Sequence, residues 1–195
     1  MTTNDLTPTP GQTIGPFFGY FNAAEQVHLP FENGDNLVPP GHADAIQLTG
    51  TVYDGQGTPI PDAMIEIWQA DAQGNIPNQD GSLIRDPFAF TGWGRAITDN
   101  VGTYRFTTVE PGATEAGKAA FIHVVVFARG LLNKLHTRAY IPETTDDDAT
   151  LQAVGDRAET LVAKRDGQRL IFDIYLQGEN ETVFFNFPGM QYPKP

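Results

Sequence analysis

Phe121-Ile122-His123-Val124-Val125-Val126-Phe127-Ala128-Arg129 decides the fold of this chain. Seven of the nine residues are apolar and most are β-branched or aromatic, so the stretch is predicted to be a strand through the core. In a strand, alternate side chains share a face. Phe121, His123, Val125, Phe127 and Arg129 then lie on one side, and Ile122, Val124, Val126 and Ala128 on the other. A cation at the end of such a strand needs a partner, or faces a ligand that wants a positive charge. The sequence leaves both readings open for Arg129: an ion pair bracing a loop, or a guanidinium presented to an anion.

More strands appear on either side. Residues 46–53 alternate apolar and polar, 63–69 are mostly apolar, and 102–109 alternate again. Further strands are expected around 137–141, 170–176 and 182–187. Turn formers separate them, among them Asp54-Gly55-Gln56-Gly57 and Glu110-Pro111-Gly112. Residues 71–95 read as a long loop, and 142–156 as an acidic solvated loop or helix start. A short helix is expected over 158–165, with Gly167 as its C-cap. Fifteen prolines and twenty glycines fit a turn-rich chain. The expectation is an all-β sandwich of about seven or eight strands. It would span residues 45–195 and be preceded by an extended arm, 1–44, that packs on its own or a partner's surface. Glu66, on an otherwise apolar strand, is expected to pair with Arg95 or Arg105.

Composition narrows the function. The chain has 195 residues, no cysteine and a formal charge of −12. Cysteine-based zinc sites, thiol nucleophiles and iron–sulfur clusters are therefore excluded, and polyanion binding (nucleic acid or anionic membrane) is unfavourable. No stretch reaches the ~18 apolar residues of a membrane span. The N-terminus lacks a basic region followed by an apolar one, so a cytoplasmic protein is expected. Ser82 is the only serine, and nucleophile-elbow, Walker A and dinucleotide motifs are absent. Of four histidines, His28, His42, His123 and His136, none forms a His-x-His strand pair, and His123 alone reads as a hydrogen-bonded core histidine.

An ordered set of short motifs resembles the intradiol ring-cleavage dioxygenases. The set runs from Thr9-Pro-Gly-Gln-Thr-Ile-Gly-Pro-Phe17 and Gly50-Thr-Val-Tyr-Asp-Gly55 through Ile65-Glu-Ile-Trp-Gln-Ala-Asp71 and Gly92-Trp-Gly-Arg95. Val109-Glu-Pro-Gly112, Phe127-Ala-Arg-Gly130, Leu135-His-Thr-Arg138, Phe172-Asp-Ile174 and Gln177-Gly-Glu-Asn-Glu-Thr-Val-Phe-Phe185 complete it. Catalytic members hold Fe(III) with two tyrosines and two histidines. The resemblance carries those four positions onto Ile76, Thr114, Phe121 and His123, and a pocket arginine onto Lys118. Only His123 keeps a metal donor.

The resemblance therefore implies a non-catalytic chain that binds no iron itself, with Ile76 and Phe121 filling the vacated place. It further implies an alpha-beta hetero-oligomer, the iron being held by a homologous catalytic beta chain. That assembly would cleave a small aromatic acid, 3,4-dihydroxybenzoate, with O2. Thr13, Gly15, Pro16 and Arg129 match family positions that help wall the partner's pocket, and Phe17 stands where a tyrosine is expected. The alternative is a metal-free β-sandwich binding module without a catalytic partner.

Overall fold

Nine strands and one short α-helix are found in a computed structural model of the chain, in which Thr13, Gly15 and residues 33–78, 89–146 and 148–187 are described. The strands are β1 (Ala45–Tyr53), β2 (Met64–Gln69), β3 (Trp93–Ile97), β4 (Thr103–Val109), β5 (Phe121–Phe127), β6 (Leu135–Tyr140), β7 (Lys164–Asp166), β8 (Arg169–Ile171) and β9 (Ile174–Tyr175). The helix is α1 (Ala149–Val154). One sheet has the order β4-β1-β8-β7, with β9 also pairing β1. The other has the order β3-β2-β5-β6.

Alternation builds the core. Along β1, Ile46, Leu48 and Val52 are buried, and Gly50 fills the remaining inward position. Tyr104 and Phe106 of β4 lie beside them in the same sheet, and Ile65 and Ile67 of β2 with Ile122, Val124 and Val126 of β5 face them across the sandwich. On β5 the other face is half-buried, as the sequence predicts for Phe121, His123, Val125 and Phe127. Leu37, ahead of β1, joins the core, and its N–H donates to the Thr107 carbonyl at 2.7 Å.

A close approach joins β1 to the segment between β8 and β9. A Cβ at Gly50 would lie 1.9 Å from the Phe172 carbonyl oxygen. The buried Tyr104 hydroxyl donates to that same oxygen at 2.6 Å. Phe172 interrupts the expected strand at 170–176, so that β8 and β9 both run parallel to β1 on either side of the junction.

One loop device occurs three times. Asp54, Asp71 and Asp99 each accept, through Oδ1, from the backbone N–H two and four residues on, at 2.8–3.0 Å. Three residues after each aspartate, Gly57, Gly74 and Gly102 take φ of 77°, 84° and 74°, a region that favours glycine.

The C-terminal third departs from the sequence expectation. Residues 158–165 are not an α-helix: the first four end a 3-10 helix and the last two are strand. Ala149–Val154 is α-helical and Gly155–Leu161 is 3-10, after which the chain extends into β7. Asp148 supplies the N-cap, accepting from Thr150 and Leu151 N–H at 2.9 and 3.1 Å, so the acidic run is a helix start. Gly167, with φ 59°, turns the β7–β8 hairpin and caps no helix. Residues 182–187 run extended beside β6 without forming a named strand. Phe185 N–H donates to the His136 carbonyl at 2.7 Å, and Thr137 hydroxyl to that of Val183 at 2.8 Å.

Candidate functional site

The residues singled out from sequence fall at opposite ends of β5. Ile76, Thr114, Phe121 and His123 lie at its N-terminal end. There the end of β2 is paired with its start: Trp68 stands opposite His123 and Gln69 opposite Ile122. The loops carrying Ile76 and Thr114 are pinned together. Gly112 N–H donates to the Asp71 carbonyl at 2.8 Å, and Gly74 packs so closely that a Cβ there would come within 2.1 Å of the Ala113 carbonyl oxygen. Asp71 is held below the ordinary carboxylate range, first by the Asn75 side-chain amide, which fixes the turn leading to Ile76.

This end retains a scaffold without the donors. Ile76 is 56% exposed and therefore fills no vacated place, contrary to expectation. Thr114 is exposed as well. Lys118 pairs with Glu115 at 2.7 Å on the surface. Phe121 is covered by the Arg138 guanidinium, whose central carbon sits 4.1 Å from the ring centroid.

His123 Nε2 lies 3.1 Å from His136 Nδ1, and Phe187 packs on both rings. His136 Nε2 is buried without a partner among the described residues. An orphan acceptor is less costly than an orphan N–H, so the favoured tautomer has His136 Nδ1–H donating to His123 Nε2. The His123 lone pair is then engaged. Burial, followed by the positive surroundings of His136, Arg138 and Lys134, pushes His123 down to about 4. Burial also lowers His136.

Isoleucine and phenylalanine offer no donor, and the one imidazole nitrogen is hydrogen-bonded beside two cations. These side chains do not fit a ferric site, which takes anionic phenolates and free imidazoles.

The other end of β5 is built differently. β5 stops at Phe127, and Arg129 follows in the turn. Its Nε donates to Asp62 Oδ1 at 3.2 Å and its Nη2 pairs with Oδ2 at 2.9 Å. The guanidinium is thus ion-paired, as one sequence reading allowed, but 47% exposed rather than buried. Gly130 N–H donates to Thr13 Oγ1 at 2.8 Å, joining the arm to this turn. Gly15 takes φ 72°, which explains a glycine there. Pro16 and Phe17 lie outside the described residues. Four strand steps, about 13 Å, separate His123 from Phe127, and Arg129 lies in the turn beyond.

Glu66 accepts from Arg95 Nε at 2.9 Å, and the Arg95 guanidinium sits over Trp93. Of the two partners expected for Glu66, Arg95 is the one used. Asp62 and His136 were not singled out from sequence. No motif marks Asp62, and His136 enters only as part of the Leu135-His-Thr-Arg138 motif; both gain significance only through contacts that the fold creates.

Comparison with known proteins agrees with this scaffold. A family profile described as dioxygenase matches residues 14–178. The chain belongs to the intradiol ring-cleavage dioxygenase family. It is 37% identical over 205 residues to the protocatechuate 3,4-dioxygenase alpha chain of Burkholderia cepacia, covering 95% of this chain and 100% of that one. It is 31% identical over 203 residues to the beta chain of the same organism's enzyme, covering 92% and 85%. The solved hydroxyquinol 1,2-dioxygenase from Pseudomonas putida DLL-E4 shares the fold, with a TM-score of 0.53 and 20% identity over 90% of this chain and 67% of that one. Among the described residues, no helix is long and apolar enough to cross a membrane.

Proposed function

We propose that this chain is the non-catalytic alpha subunit of a protocatechuate 3,4-dioxygenase, working in the cytoplasm as an alpha-beta hetero-oligomer. The beta chain holds the Fe(III). The assembly cleaves 3,4-dihydroxybenzoate between its two hydroxyl-bearing carbons, both atoms of O2 entering the product, 3-carboxy-cis,cis-muconate. The observation that carries this reading is the asymmetry of β5. One end keeps the loops of a metal site with three of four positions unable to bind iron. The other end assembles the arm and a half-exposed guanidinium.

Thr13, Gly15, Pro16 and Arg129 are proposed to wall the partner's pocket. A guanidinium there attracts an aromatic carboxylate into a protein whose net charge of −12 opposes it. A fixed wall also positions the ring and excludes water.

The test is to produce the chain alone and together with a beta chain, then measure bound iron, phenolate-to-iron colour and O2 uptake with protocatechuate. The lone chain is expected to be colourless and inactive, and the complex coloured and active, with Arg129→Ala raising the KM of the complex while its iron content is unchanged. Iron and colour in the lone chain would overturn the reading. A chain that forms no complex would instead be a metal-free binding module.

A further inference from the structure

We propose that Asp62 is a positioning residue for Arg129: a carboxylate held on a strained, clamped turn that fixes the guanidinium plane and aims its free edge at the carboxylate of an aromatic acid. This rests on the pocket role proposed above for Arg129.

Asp62 has φ 63° and, with Asn33, is one of two non-glycine residues at positive φ among the described residues. Aspartate tolerates that region better than most residues, yet glycine would be free of strain there. The side chain must therefore return something for the conformation. Thr98, itself buried, brackets the turn: its hydroxyl donates to the Ile60 carbonyl and accepts from Ala63 N–H, both at 2.9 Å. Thr98 N–H also donates to the Ala63 carbonyl at 2.8 Å. Pro59 and Pro61 stiffen the same segment. The Asp62 carboxylate consequently has little freedom to move.

Arg129 Nε–H donates to Asp62 Oδ1 at 3.2 Å, and Nη2 forms an ion pair with Oδ2 at 2.9 Å, so the guanidinium meets both carboxylate oxygens. Such two-point pairing sets the plane of the guanidinium as well as its position. Of the five N–H donors of an arginine, the two on Nη1 stay clear of this contact. The Asp62 side chain is 20% exposed and that of Arg129 47%, so the anion sits inward and the unused edge faces outward. The next residue, Gly130, holds Thr13 beside the same turn.

Stability alone is a weak reason for this pair. A half-exposed ion pair adds little, and left-handed backbone at a non-glycine residue takes a comparable amount away. What Asp62 provides is orientation, which an unrestrained arginine on a turn lacks.

The test uses the alpha-beta complex with Asp62→Asn, Asp62→Gly, Arg129→Ala and the Asp62→Asn/Arg129→Ala double variant. Asp62→Gly removes the carboxylate while relieving the backbone, so the fold is kept. KM is measured for protocatechuate and for catechol, the same diol without a carboxylate. Both Asp62 variants are expected to raise the protocatechuate KM by about fivefold or more with catechol changed less than about twofold, and the double variant to be no worse than Arg129→Ala alone. If Arg129→Ala raises the protocatechuate KM and the Asp62 variants do not, positioning is refuted and the pocket role of Arg129 survives. Equal losses on both diols would mark a purely structural effect and also refute it. If Arg129→Ala changes neither KM, the pocket role itself fails and the inference with it.

Discussion

His123 gives the sharpest quantitative expectation, because its environment makes protonation unfavourable. It is half-buried, shares a hydrogen bond with His136, and stands near Arg138 and Lys134. Above pH 6.5 neither the folded nor the unfolded chain carries a proton there, so the residue makes no difference to stability. As the pH falls below 6.5 the unfolded chain binds the proton first, and unfolding is favoured increasingly until the folded form also titrates at about 4. At about 1.4 kcal/mol per pH unit, the ceiling for that interval is roughly 3 kcal/mol. Partial exposure screens the charge, which brings the expected loss between pH 7 and 4.5 to about 1–2 kcal/mol. Urea unfolding of the full chain and of His123→Gln at both pH values isolates this contribution, since the carboxylates titrate in both proteins. The wild type should lose about 1–2 kcal/mol more than the variant on acidification. Parallel losses would refute the argument, as would an NMR titration placing His123 near 6.5.

Other expectations follow from single contacts. Gly50→Ala drives a Cβ into the Phe172 carbonyl and should cost about 3 kcal/mol or more, or abolish folding, in thermal unfolding. Tyr104→Phe leaves the ring but removes the donor to that carbonyl, and about 1–2 kcal/mol should be lost by urea titration. Asp148→Ala uncaps α1 and should cost about 1 kcal/mol, read as a shifted urea midpoint with an unchanged slope. In the alpha-beta complex, His123→Gln should leave the iron content as it was, because this imidazole lies in a donor-poor setting; a loss of metal on elemental analysis would contradict that.

Strands set by alternation were legible from sequence. β1 and β5 alternate strictly between buried and half-buried positions, and β4 alternates as far as Thr108. Residues 158–165 misled because alanine, glutamate, leucine, lysine and arginine favour a helix locally. Tertiary hydrogen bonding overrides that preference: Ala163 N–H donates to the Tyr140 carbonyl at 3.0 Å and draws the chain out along β6. A glycine after a helix-like run looks the same whether it caps a helix or turns a hairpin.

The site was legible where residue identity alone carried the information. Isoleucine or phenylalanine at a ligand position means a missing donor in any setting. Pairings across the fold were beyond reach. His136 meets His123 only because β5 and β6 pair in one register, and Asp62 meets Arg129 across 67 positions of sequence.

The Gly50–Phe172 junction also bears on the order of events during synthesis. β1 is among the first strands made, yet β8 and β9, which cover one of its edges, lie some 120 residues later. Until β8 and β9 have left the ribosome, the β1 edge opposite its β4 partner stays unpaired and open to pairing with another chain. Closing so long a span is slow. A chain truncated just before Arg169, which lacks both β8 and β9, should therefore aggregate instead of persisting as a smaller sandwich.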